Sequence, residues 1–216
     1  MLRRRETLRR IFYGGTMELL VIRHGESEAD ILHVHEGRAD FELTARGHKQ
    51  AKAMAAYVSQ NYSVTAIYCS TLKRAYQTAS HLAEATGIPL QPDEKLMEFN
   101  NGLLAGLDHE TVLRKYPYVE NLPVHASVYE QESALEFRFR AEYMLSKILS
   151  ENSADSTVAV VTHGGMINQL YRSLLRLPVD SGIGFATEDT GIHVWKITKD
   201  KRMILRANLT EHTNGL

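Results

Sequence analysis

An α/β fold is predicted for this chain of 216 residues: a three-layer sandwich with a mostly parallel central sheet and helices on both faces. Three features predict it. Short apolar runs alternate with long helical stretches, the rhythm of a parallel sheet crossed over by helices. The runs are apolar throughout instead of alternating with polar residues, so both of their faces are buried. Polar strings containing glycine follow the runs directly, at the strand ends where open α/β sheets place ligands.

Residues 19–22 (LLVI) form the first such run, and it leads into Arg23-His24-Gly25-Glu26. Thr44 opens a helical stretch to about residue 60, with Ala51, Met54, Ala55 and Val58 on one face. Val64–Cys69 is the second strand candidate, and residues 72–86 read as a helix stopped by Gly87 and Pro89. Residues 99–131 are irregular, apart from a short helix at 110–116 ended by Pro117. A long helix is expected over 132–151. Thr157–Thr162 (TVAVVT) is the clearest buried strand and runs into His163-Gly164-Gly165, with a helix at 166–175. Residues 191–198 and 203–209 read as two closing strands around the Asp200-Lys201 turn.

The length and an apolar content of 44% suit one domain with a full core. Net charge is −1, but Arg3, Arg4, Arg5, Arg9 and Arg10 all lie in the first ten residues. Residues 1–16 hold five basic groups and one acidic one. The remaining 17–216 therefore carry 20 basic and 25 acidic groups, a net of −5. A mildly acidic body argues against nucleic acid as the partner. The division expected is a basic N-terminal extension, 1–16, followed by one domain, 17–216. The extension reads as a solvated arm, as sequence upstream of a start at Met17, or as a surface-binding segment.

No 18-residue apolar run exists, so no membrane span is expected, and the tail lacks the apolar stretch of a secretory signal. Cys69 is the sole cysteine, which excludes a disulfide within the chain and suits the reducing cytoplasm. It ends an apolar run and reads as buried filler. The edge strands near the C-terminus offer a surface for a homodimer.

Two histidines, His24 and His163, each follow a buried run and precede a glycine. Glycine allows close backbone approach, and amides at a helix start meet anions. Arg23 and Arg74 add forked donors. Together these groups form a coherent anion site. Taken singly, a histidine at a strand end packs structurally more often than it catalyses, and a single arginine is usually a solvated charge. His33 and His35 alternate on a segment read as extended, which would place both on one face. No third ligand spacing supports a metal there, and a solvated loop is the reading preferred.

Arg23-His24-Gly25-Glu26-Ser27 resembles the R-H-G-E-T signature of the histidine phosphatase superfamily, the phosphoglycerate-mutase-like family. Gly37-Arg38-Ala39-Asp40, Leu43-Thr44 with Gly47 and Gln50-Ala51 resemble its second motif, and the string from Ser70 to Ala79 resembles S-x-L-x-R-A-x-Q-T-A. Leu96-Met97-Glu98 with Asn101-Gly102 and Gly106, then Glu132-Ser133, then Val161 to Gly165 complete an ordered series over residues 17–175.

The resemblance implies a phosphomonoester hydrolase acting on a small phosphorylated metabolite. His24 would be the nucleophile, forming a phosphohistidine that water hydrolyses. Glu98 would be the general acid and then base. Arg23 and Arg74 would hold the phosphoryl oxygens, while His163 and the Gly164 amide stabilise transferring charge. No cofactor or metal is implied.

The chain departs from the pattern at two places. Asp30 stands where the family commonly has asparagine, and Glu36 stands for glutamine just before Gly37. With Gly37, these are the residues expected to select the substrate. A carboxylate beside a phosphate dianion is repelled and its pKa should rise. It can pair with Arg38, Arg46 or another base, it can stay protonated and donate a hydrogen bond, or it can favour a substrate bearing a cationic amine.

The alternatives are a cofactor-dependent phosphoglycerate mutase and a catalytically weak phospho-ligand binder. The compact 99–131 segment, with only Arg114, Lys115 and His125 as cations or near-cations, favours hydrolysis over the mutase. Five intact site residues argue against the binder. Tyr116, Tyr118, Tyr129 and His125 are placed at the mouth of the site, with packing of the lid as the alternative role for the aromatics.

Overall fold

The computed structural model describes residues 15–216. The expected extension at 1–16 therefore lies outside the described residues except for Gly15 and Thr16, where the Thr16 amide donates to Asp155 Oδ1 at 3.1 Å.

Six strands form one sheet among the described residues: β1 Met17–Arg23, β2 Val64–Cys69, β3 Leu90–Pro92, β4 Thr157–Thr162, β5 Ile192–Ile197 and β6 Arg202–Leu209. Their spatial order is β3-β2-β4-β1-β5-β6. The first four run parallel, while β5 runs antiparallel to β1 and pairs antiparallel with β6. The mixed, mostly parallel sheet predicted from the sequence is the one observed.

The helices are α1 Glu28–Leu32, α2 Ala45–Asn61, α3 Lys73–Thr86, α4 His109–Lys115, α5 Ala134–Glu151 and α6 Gly164–Leu175. Strand alternation assigns them to faces. Leu19 and Val21 of β1, with Val158 and Val160 of β4, join a core containing Met144 and Ile148 of α5 and Ile167 and Leu170 of α6. Leu20 and Ile22, with Ala159 and Val161, join a second core containing Met54 and Val58 of α2 and Ala79 and Leu82 of α3. Each central strand is thus covered on both sides, and truncating one of these side chains, Leu20→Ala for example, costs about 2–5 kcal/mol.

Local signals set the helix ends. Thr44 Oγ1 accepts the Gly47 amide at 2.9 Å and starts α2. Gly87, at φ 72°, closes α3 in the left-handed region. Ser133 and Glu136 cap α5 reciprocally.

One local expectation is corrected by the backbone. The segment holding His33 and His35 does not alternate along an extended run: His33 caps α1, and its φ of 52° turns the chain left-handed and breaks the alternation. His35 instead meets His109 of α4, edge to face, with ring centroids 4.4 Å apart. Tyr118 is 87% exposed. Tyr116 and Tyr129 pack on each other at 5.2 Å, and the Tyr129 hydroxyl donates to the Pro117 carbonyl, so these two stiffen the 99–131 segment.

Candidate active site

The ends of β1, β2 and β4 place the site. Arg23 pairs in register with Thr162, so His24 and His163 are the next residues along two adjacent parallel strands. Their ring centroids lie 5.0 Å apart, tilted at 59°, and both side chains are buried. The His24 amide donates to the Thr162 carbonyl at 2.9 Å, continuing the ladder into the site.

The hydrogen bonds around His24 orient it. Its Nδ1 lies 2.8 Å from the Gly25 carbonyl oxygen, an acceptor, so Nδ1 carries the proton and Nε2 keeps a lone pair. Arg74 Nε lies 3.3 Å from that Nε2, while Nη1 and Nη2 donate to the carbonyls of Ala39 and Gly37 at 3.0 and 2.8 Å. Arg74 is completely buried at the first turn of α3. Burial, followed by the charges of Arg74 and Arg23, holds the His24 pKa well below the usual histidine range, so the imidazole is neutral near pH 7.

His163 is buried in the same way, and its pKa is lowered by burial first and then by Arg74. Its Nε2 lies 2.8 Å from Ser70 Oγ, while its buried Nδ1 has no protein partner. The Ser70 oxygen also accepts the Leu72 amide at 3.2 Å, which fixes the hydroxyl beside His163.

Arg23 is steered from a loop that the sequence did not single out. Its Nη1 donates to the Thr187 carbonyl at 3.0 Å and its Nη2 lies 3.4 Å from Asp189 Oδ1. Glu98 Oε2 accepts the Gly165 amide at 2.8 Å, which brings this carboxyl to the start of α6 beside His163. A Cβ on Gly165 would sit 2.3 Å from Glu98 Oε1, so only glycine admits that approach. The amide of Gly164, first residue of α6, is one of the unbonded donors of a helix start.

The three residues expected to select substrate separate. Gly37 lies at the site through its bond to Arg74, and its φ of 48° and contact with Asn101 exclude a side chain. Glu36 enters the phosphoryl side directly: Oε1 lies 3.1 Å from Arg74 Nε and Oε2 lies 3.6 Å from His24 Nε2. Asp30 is drawn into the first turn of α1, where Oδ2 accepts the Ser27 amide at 2.8 Å and lies 3.1 Å from Ser27 Oγ. Of the bases proposed to pair with them, Arg46 is taken by Glu26 at 2.8 Å, and Arg38 lies 3.9 Å from Glu132.

Cys69 lies under the site with its thiol pushed up to about 12 by burial, which leaves it inert. No cluster of three or more potential metal ligands occurs among the described residues.

Comparison with known proteins places this constellation. Residues 19–210 match the family model of the histidine phosphatase superfamily, branch 1. The chain belongs to that superfamily. It is 29% identical over 201 residues to phosphoserine phosphatase 1 of Hydrogenobacter thermophilus, covering 91% of this chain and 94% of that one. It is 30% identical over 166 residues to a probable phosphoglycerate mutase of Yersinia enterocolitica, covering 75% and 76%. The solved α-ribazole phosphatase of Shigella flexneri superposes with a TM-score of 0.82 at 25% identity, covering 90% of this chain and 97% of that one. As a histidine phosphatase, the chain is a phosphoric monoester hydrolase acting on a small phosphorylated metabolite. No helix among its described residues is long and apolar enough to cross a membrane.

Proposed function

We propose that hydrolysis proceeds through a phosphohistidine on His24. The observation that carries this is the 5.0 Å pairing of two buried, neutral imidazoles with Arg74 Nε 3.3 Å from His24 Nε2. The Nε2 lone pair attacks phosphorus as the bond to the leaving oxygen breaks. Glu98, protonated, gives its proton to that oxygen. Water then attacks phosphorus and passes a proton to Glu98, the P–N bond breaks, and His24 is regenerated. Arg23 and Arg74 bind the phosphoryl oxygens, and His163 and the Gly164 amide donate to charge building there. The protein's own cations supply this positive field, and the reading needs no cofactor.

Glu36 and Gly37 border the phosphoryl group and act on substrate choice, with Asp30 acting through Ser27. The reading places the enzyme in the cytoplasm, supported by a lone buried thiol. It assigns self-pairing to the edge strand β6, supported by partly exposed Ile204 and Leu205.

The test is turnover of a panel of phosphate monoesters, 2- and 3-phosphoglycerate included, with acid-labile label trapped on the protein. His24→Ala should lose both turnover and label. Retained labelling in that variant, or interconversion of the two phosphoglycerates without phosphate release, would sink the proposal.

A further inference from the structure

Glu36 stands where the family pattern carries a neutral amide, and its surroundings do not accept a second ionised carboxylate easily. Ser27 Oγ lies 3.1 Å from Asp30 Oδ2 and also makes a short contact with Glu36 Oε1. One hydroxyl hydrogen cannot serve two ionised carboxylates: one contact would then set acceptor against acceptor. A proton on Glu36 resolves the conflict, because Ser27 then donates to Asp30 and accepts from Glu36. The other oxygen of Glu36 lies 3.6 Å from His24 Nε2, on the side where phosphorus would bond. An ionised Glu36 therefore occupies Arg74 and repels the very group that Arg74 is placed to hold.

We propose that this site takes up one proton on Glu36 whenever it binds a phosphoryl dianion, so that Glu36 acts in the filled site as a neutral carboxylic acid and donates a hydrogen bond. The inference rests on the reading of the site as phosphoryl-binding. Four charged or titratable groups face Glu36. Arg74 comes from α3, His24 and Arg23 from the end of β1, and Asp30 from α1. The two arginines favour its charge; Asp30 opposes it. Burial is the largest influence and raises its pKa above the ordinary carboxylate value. A bound dianion raises it further by like-charge repulsion. Protonated, Glu36 carries no charge to repel the ligand, as a neutral amide would carry none, and Arg74 is released to the ligand. The enzyme is then one whose affinity for phosphoryl groups weakens as pH rises, with Glu36 as the residue responsible.

The probe is inorganic sulfate, which stays a dianion between pH 5 and 8 and so contributes no titration of its own. Its binding to the full chain is followed by calorimetry in buffers of different ionisation enthalpy. The expected result is uptake of close to one proton per sulfate. Affinity should fall about tenfold per pH unit between the free and bound pKa values of Glu36. Glu36→Gln, nearly the same shape, should bind sulfate with no proton uptake and a flat profile. Sulfate binding to the wild type without proton uptake overturns the proposal. So does undiminished uptake in Glu36→Gln, which would put the proton on His24 or His163. Absence of sulfate binding at pH 5 overturns it too, because the protonated site should bind most tightly. Binding needs no turnover. A site that binds with proton uptake but releases no phosphate from esters would therefore refute the catalytic reading and leave this one standing.

Discussion

Arg140 holds the backbone of Glu98: its Nη2 donates to the Glu98 carbonyl oxygen at 3.1 Å. The same guanidinium donates through Nη1 to the carbonyls of Lys95 and Met97, at 2.8 and 2.7 Å, and is anchored by Glu132. Glu132 in turn accepts the Asn100 amide at 2.6 Å. A buried ion pair thus fastens both sides of the segment that presents the Glu98 carboxyl.

Arg140 is consequently a positioning residue. Arg140→Ala should lower kcat about 10²-fold on an alkyl phosphate, whose leaving oxygen needs a proton, and far less on p-nitrophenyl phosphate, whose leaving group does not. Equal losses on both esters would assign Arg140 to stability alone. Unfolding should also become easier by about 2–3 kcal/mol, because Glu132 and the carbonyls of Lys95, Met97 and Glu98 lose a charged donor.

Gly165→Ala tests the same carboxyl from the other side. A methyl there meets Glu98 Oε1 at 2.3 Å and must push it from the Gly165 amide. The expected outcome is again a loss selective for alkyl phosphates. The thermal midpoint should change little, since alanine is a better helix former than glycine. Equal kinetics on both esters would show that Glu98 tolerates displacement.

Ser70→Ala removes the hydroxyl bonded to His163 Nε2. Nitrogen NMR of the imidazole should report a changed balance between its two tautomers. Catalytic efficiency should fall about tenfold, the worth of one ordinary hydrogen bond. An unchanged balance would show that another contact sets the tautomer.

Acid stability should depend on His193, which is wholly buried and has its pKa lowered to about 4 by desolvation. The unfolded chain takes up this proton near pH 6.5 and the folded chain only near 4, so stability is present above 6.5 and lost as pH falls through that window. The loss amounts to about 3 kcal/mol for a difference of this size. In His193→Gln, denaturant midpoints should be less sensitive to pH between 6.5 and 4. A slope equal to the wild type would place the titration elsewhere.

Much of this was legible from residues alone, and physical reasons mark where it stopped. The limits of β2 and β4 were readable because strands buried on both faces leave unbroken apolar runs. α1 was missed because five residues span less than two turns and show no periodicity. β3 was missed because three residues ending in Pro92 make only an edge strand. His24, His163, Arg23, Arg74 and Glu98 were nameable from motifs, and the fold brings them together. Ser70 lay inside a quoted motif, but its partner did not show. Thr187 and Asp189, which steer Arg23, lie in a loop with neither periodicity nor motif. Arg140 was masked by a helix rich in charge, where a cation ordinarily faces solvent.

The Arg23–Thr162 register carries one more implication. Two imidazoles from distant parts of the polypeptide converge because each is the first residue beyond a hydrogen-bonded ladder. Their spacing is therefore inherited from main-chain geometry and owes little to the side chains of the intervening connections. Those connections are at liberty to lengthen, shorten or change chemistry, and with them the range of esters admitted, while the distance between attacking and stabilising rings stays constant. A library that varied only residues 109–131 should accordingly change which esters are cleaved before it abolished cleavage.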